Sequence, residues 1–200
     1  MSAVLSRIYK RPGFALDAVL NAQANVSKKL PISKVSDDAE TVKSTCDSFT
    51  FKSFLAEDAW DLGHLLYARL LPYAVAGQPT LISIALANNS HVLFQAAVGT
   101  GTAPDNSLWV ERKRNTVLRF GTSTWYQHCK YRGNEAQFRA KFGMSEEQAS
   151  QYAIHGGGVP IFVEGVEGVV AVVVVSGLKQ DQDHGVIVDV INDYWEKVSG

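Results

Sequence analysis

Apolar positions recur at helical spacing near the start of the chain. Ala15, Ala18, Val19, Ala22 and Val26 share one face over residues 14–30, Lys28 and Lys29 fall in the last turn, and Pro31 stops the run. Residues 31–40, rich in Ser, Lys and Asp, read as a linker. From Phe49 to Phe54 aromatic and polar residues alternate as in a half-buried strand, and Ser53 offers an N-cap to the helix that follows. Over residues 55–71 that helix turns Ala56, Ala59, Gly63, Leu66, Tyr67 and Leu70 inward and Glu57, Asp61 and His64 toward water. Residues 80–87 and 91–97 flank Asn88-Asn89-Ser90, a hairpin signal because asparagine tolerates left-handed backbone. Asp105 then caps a helix carrying Trp109, Arg112, Lys113, Val117 and Phe120, with helical pieces continuing through residues 125–150. A second hairpin joins 160–164 to 169–176 across 165–168, and a last helix from about Asp181 buries Ile187, Val190, Ile191 and Tyr194.

This order predicts an α/β fold of the α+β type: a five-stranded antiparallel sheet with helices packed against it. Tight turns join consecutive strands, which disfavours a doubly wound nucleotide fold. The expected division is an N-terminal helix and linker extension, residues 1–45, and a body, residues 46–200, that folds without it.

Composition narrows the partners. The 200 residues are 46% hydrophobic, enough for one domain with a sizeable core. A formal net charge of -1 and a pI near 6.5 supply no field for nucleic acid or a membrane surface. Cys46 and Cys129, far apart and without CxxC or CxxH company, read as reduced thiols, not as a zinc site or a disulfide. The longest apolar run, 169–175, is a third of a membrane span and reads as a buried strand. Arg7, Lys10 and Arg11 precede the first acid, a faintly transit-like start, but Pro12-Gly13 breaks it and a folded helix follows, so the expected location is cytoplasmic.

Candidate chemistry concentrates between Tyr152 and Val190. His155-Gly156-Gly157-Gly158-Val159-Pro160-Ile161 leads into a strand ending Val175-Ser176-Gly177-Leu178, and Asp183-His184 opens a helix. Consecutive glycines allow close backbone approach, and glycine turns and helix starts carry free N–H groups suited to an anionic ligand. Lys113, four residues after Trp109 on one helix face, is either the cation for a ligand carboxylate or a lysine packed along Trp109 and paired at the surface. His155 and His184 could ligate a metal or move a proton, although His184 in a first helical turn favours a structural or interface role. Ser176 lacks a base at a defined spacing and reads as a turn former. No HExxH and no nucleophile elbow is present, so no catalytic residue is assigned.

From about residue 49 to 194 the chain resembles the heme-degrading-domain family, also called GlcG-like or HbpS-like, within a branch found in bacteria and fungi. The resemblance is carried by Leu93-Phe94-Gln95, Gly99-Thr100, Asp105-Asn106 with Trp109 and Lys113, the His155 to Ile161 run, Val175-Ser176-Gly177-Leu178 and Asp183-His184. It implies an antiparallel sheet flanked by helices, a higher homo-oligomer and, for some relatives, heme. A fold constrains function weakly. The expected function is a homo-oligomeric, cytosolic small-ligand-binding protein with heme or another tetrapyrrole as candidate ligand. Its ligand-binding residues are expected to be Lys113, His155, Gly156, Gly157, Gly158, Ser176 and Gly177. The rivals are an adaptor that holds other proteins and a small-molecule isomerase or redox enzyme.

Overall fold

The valine-rich strand β6 is buried on both faces. In chain order the elements of the computed structural model are β1 (Val4–Arg7), α1 (Phe14–Ala24), α2 (Ala39–Thr45), β2 (Phe49–Phe51), α3 (Ala56–Val75), β3 (Thr80–Leu86), β4 (Val92–Val98), α4 (Pro104–Phe120), α5 (Thr124–Tyr131), α6 (Glu135–Lys141), α7 (Glu146–Ser150), β5 (Gly158–Val163), β6 (Ala171–Ser176), α8 (Gln180–Tyr194) and β7 (Trp195–Val198). The structure describes residues 3–9, 11–26 and 29–198; Lys10 and Lys28, which entered the sequence reading, lie outside them.

The sheet runs β4-β3-β6-β5-β2-β1-β7. It is mixed and seven-stranded, where five antiparallel strands were expected: β2 runs parallel to both β1 and β5, and the remaining pairs are antiparallel. The five expected strands are present as β2 to β6. The two added ones, β1 and β7, are four residues each and pair Val4 with Val198 and Arg7 with Trp195. Such a ladder depends on residues from opposite ends of the chain and leaves no local signal.

Alternation along β6 sorts the two layers. Val173 and Val175 face a cluster with Leu62, Leu66 and Leu70 of α3 and Val186, Ile187, Val190 and Ile191 of α8. Val172 and Val174 face Val110 and Val117 of α4 on the other side. Both faces being covered explains the unbroken valine run. Short helices α5 to α7 close one end around Tyr131, Phe138, Met144 and Ile154.

Several local expectations shift by a residue or two. The cap of α4 is Ala103 with Pro104 in the first turn; Asp105 lies inside the helix, and Asn106 accepts the Ala103 N–H at 2.8 Å. Likewise Leu55, not Ser53, precedes α3, and its N–H is taken by Asp58 at 2.7 Å. In the β3–β4 turn the left-handed residue is Ser90, φ 57°, while Asn89 accepts the His91 N–H. His64 is half-buried between the rings of Trp60 and Phe94.

The boundary expected at residues 45 and 46 is crossed by strand pairing. β1 stands between β2 and β7, Leu5, Ala15 and Val19 are buried, and Arg7 reaches both Asp58 and Asp61 of α3. Deleting residues 1–40 therefore removes the partner of β7 and several buried apolar side chains, each contributing roughly 1.5–3 kcal/mol. The thermal transition should fall by about 10 °C or more; an unchanged transition would show that the body stands without the segment.

Candidate functional site

Strand β6 ends at Ser176, and Gly177-Leu178-Lys179 turns the chain into α8. The turn is closed from behind by Asp183, whose carboxylate accepts the N–H of Leu178 at 2.9 Å and of Gly177 at 3.4 Å. Lys113 of α4 donates to the same carboxylate at 3.0 Å and to the Val175 carbonyl at 2.9 Å. Both side chains are almost fully buried, 3% and 4% exposed. Burial raises the Asp183 carboxyl above the ordinary range, against the opposing pull of Lys113 and the two turn N–H groups.

Gly157 lies against this ion pair at φ +109°. A Cβ there would run into the Val175 carbonyl, into Asp183 Cβ at 2.7 Å and into Lys113 Nζ at 2.8 Å, so no other residue fits. The neighbouring glycines are also interior: a Cβ on Gly156 would meet the Gln180 carbonyl, and the Gly158 N–H is already taken by Thr124 Oγ1 at 2.9 Å. Gly156, Gly157 and Gly158 are all buried.

In front of the pair opens a cleft of about 530 Å³, lined among others by Asn106, Trp109, His155, Gln180 and the Ser176–Leu178 turn. Of the residues expected at a site, the structure brings Lys113, His155, Ser176 and Gly177 to this cleft, while the three glycines lie behind the wall. The ion pair of Lys113 is buried, with Asp183, where the second sequence alternative placed it at the surface, and its side chain also lines the cleft.

His155 is the half-exposed imidazole of the cleft. Its ring meets Trp109 edge to face, centroids 4.9 Å apart, and its side chain is 41% exposed. Nδ1 is buried, without a hydrogen bond among the described residues, and lies 3.4 Å from a Glu135 carboxylate oxygen; the exposure therefore falls on the rest of the ring. Burial lowers the His155 pKa, with Glu135 opposing. Arg112 lies 4.6 Å from the Trp109 ring centroid and donates to the Tyr152 carbonyl.

The other expected histidine is not at the cleft. His184 is fully buried, its Nε2 is 3.0 Å from the Cys46 carbonyl oxygen, and desolvation pushes its pKa down to about 4. That matches the structural role read from its place in the first turn of α8. Sequence reasoning passed over His128, which stacks flat on Trp125 at 4.9 Å and whose Nε2 approaches the Gln180 amide at 3.4 Å. Its pKa is lowered by burial and then by His155. The i, i+3 spacing of Trp125 and His128 was the available signal.

This fold and cleft define a helix-flanked mixed-sheet domain of a known kind. Residues 54–192 match the family described as Haem degrading protein HbpS-like, and the chain belongs to that family. It is 37% identical over 149 residues to a UPF0303 protein of Streptomyces avermitilis, covering 72% of this chain and 83% of the relative. It is 35% identical to the UPF0303 protein YBR137W of Saccharomyces cerevisiae over 158 residues, 79% of this chain and 80% of the relative. A solved structure, described as the crystal structure of Ybr137w protein, superposes with a TM-score of 0.66 at 31% identity, covering 88% of this chain and 92% of that one. The shared architecture thus extends beyond residues 54–192.

Two outcomes follow from the buried polar groups. Lys113→Met leaves Asp183 buried without its cation, which should cost about 3–5 kcal/mol, measured by denaturant unfolding; a loss below about 1 kcal/mol would show that the pair is not what holds the turn. For His184, the unfolded chain, with an ordinary histidine pKa near 6.5, takes up a proton before the folded one does. Its contribution is full above about pH 6.5 and lost as pH falls toward 4, in total roughly 3 kcal/mol. The melting temperature of the wild type should drop more steeply across that window than that of His184→Phe; parallel curves would remove His184 as the source.

Proposed function

We propose that the protein binds a small planar ligand, heme or a related tetrapyrrole, in the cleft between α4 and the start of α8. The observation that carries this reading is His155: a half-exposed imidazole, its buried nitrogen facing Glu135, set edge-on to Trp109 at the mouth of a cavity of ligand size. A carboxylate behind the buried nitrogen is the usual support of a metal-binding imidazole. Among the described residues no group of three or more His, Cys, Asp or Glu could hold a bare metal ion. One imidazole suits an iron whose other ligands come from a macrocycle, and bound heme would supply a redox-active iron tuned by that ligand. Trp109 offers the flat apolar wall, and exposed Lys179 offers a cation to a peripheral carboxylate. The family's description points to the same ligand class.

The same reading has the protein self-associating in the cytoplasm. Exposed Trp60, Val92 and Leu108, each more than 40% accessible and carried on different elements, are the apolar side chains that support this reading. Among the described residues no helix is long and apolar enough to cross a membrane.

Hemin titration followed by absorbance tests the ligand assignment. Wild type should saturate with a shifted Soret band, His155→Ala should bind at least about tenfold more weakly, and Trp109→Ala should show an intermediate loss. Because burial holds the His155 pKa below the ordinary imidazole value near 6.5, affinity should be level above that pH and fall at lower pH as the ring takes up a proton. Equal hemin affinity in all three proteins would sink the assignment.

A further inference from the structure

The cleft contains a hydrogen-bond donor that the fold itself does not use. Ser176 is 5% exposed, and among the described residues its hydroxyl has no hydrogen-bond partner. Register fixes its direction: Val172 and Val174, four and two residues earlier on β6, pack against Val110 and Val117, so Ser176 points to the same side, toward the α4 residues of the cleft. The residue is buried but its hydroxyl oxygen is not among the fully buried unpaired side-chain atoms, so the group opens onto the cavity that it lines.

In the same lining α8 begins without a side-chain cap. The N–H groups of Gln180, Asp181 and Gln182 have no partner inside the helix, and the helix dipole adds partial positive charge at this end. Asn106, also in the lining, uses its amide oxygen on Ala103, which leaves its NH2 end free of that bond. Lys113 has two acceptors for three N–H groups. The formal charges around the turn cancel: Lys179 against Asp181, and Lys113 against Asp183. What remains is a set of neutral donors and a helix start, suited to a single negative charge rather than to a phosphate dianion.

We propose that Ser176, Asn106 and the open first turn of α8 form a carboxylate subsite, so that this cleft selects planar acids whose ring lies along Trp109 and whose carboxylate takes the Ser176 hydroxyl and the α8 N–H groups. This rests on the cleft being the ligand site proposed above, and it moves the anion away from the glycine run and from Lys113. The specificity-determining residue is then Ser176, since Ala at that position keeps the volume and removes the donor.

The test uses 1-naphthoate and its neutral isostere 1-naphthamide, titrated into the full chain labelled with 15N. Naphthoate should shift the Gly177, Gln180 and Asp181 amides saturably, and naphthamide should bind about tenfold or more weakly. Ser176→Ala should weaken naphthoate about tenfold and leave naphthamide unchanged, the naphthamide result showing that the variant keeps its cleft. Equal binding of the two probes, no binding of naphthoate, or unaltered naphthoate binding in Ser176→Ala would each overturn the subsite. Hemin separates the two readings: naphthoate selectivity without hemin binding leaves the subsite and removes heme, while hemin binding without naphthoate selectivity does the reverse.

Discussion

Taking two charges out of water costs several kcal/mol for each, and the Lys113–Asp183 pair does this at the point where four elements meet. The expense is offset because most of the remaining lone pairs and protons are directed. Asp183 holds two N–H groups of the turn after β6, and Lys113 holds the carbonyl of Val175. One ion pair therefore ties α4, on one face of the sheet, to α8 on the other, around the end of the strand between them. Gly157 is part of the same constraint, because the pair leaves room for a Cα and nothing more. The walls of the cleft are the outer surfaces of this knot, which is why its shape is set by groups that carry structure first.

How much of this was legible follows from how local each signal is. The strands β2 to β6, the long helices and the close approach at the glycine run are written in periodicity and in residue size. That Gly157 approaches an ammonium and not a ligand is not, since Lys113 and Asp183 are 70 residues apart and meet only once β5 and β6 have docked. Ser176 was read as a turn former because a serine before a glycine fits a turn; its burial and lack of a partner depend on α4 lying over it. His155 was legible as a candidate, whereas Glu135, which stands behind its buried nitrogen, belongs to a short surface helix with no motif of its own.

Family membership and cleft geometry constrain function from different sides. The family's description points to heme, and the cleft supplies one imidazole with a carboxylate behind it, a tryptophan wall and uncommitted donors at a helix start. A ligand satisfying both has a flat ring system and an acid group. Burial lowers the His155 pKa and the proposed donors carry no net charge, so on the proposed reading recognition depends on direction more than on field strength.

The ladder that pairs Val4 with Val198 gives the sheet an order of assembly. Synthesis delivers β1 first and its outer neighbour last, so on the ribosome β1 presents an open edge until residue 198 has emerged. A contact spanning nearly the whole chain carries the largest loop-closure penalty in the fold and raises its contact order. The same ladder makes Val4 and Val198 near neighbours, so a short hairpin joining β7 to β1 would convert the most distant pairing into a local one, with the chain opened instead at the exposed turn around Asn89.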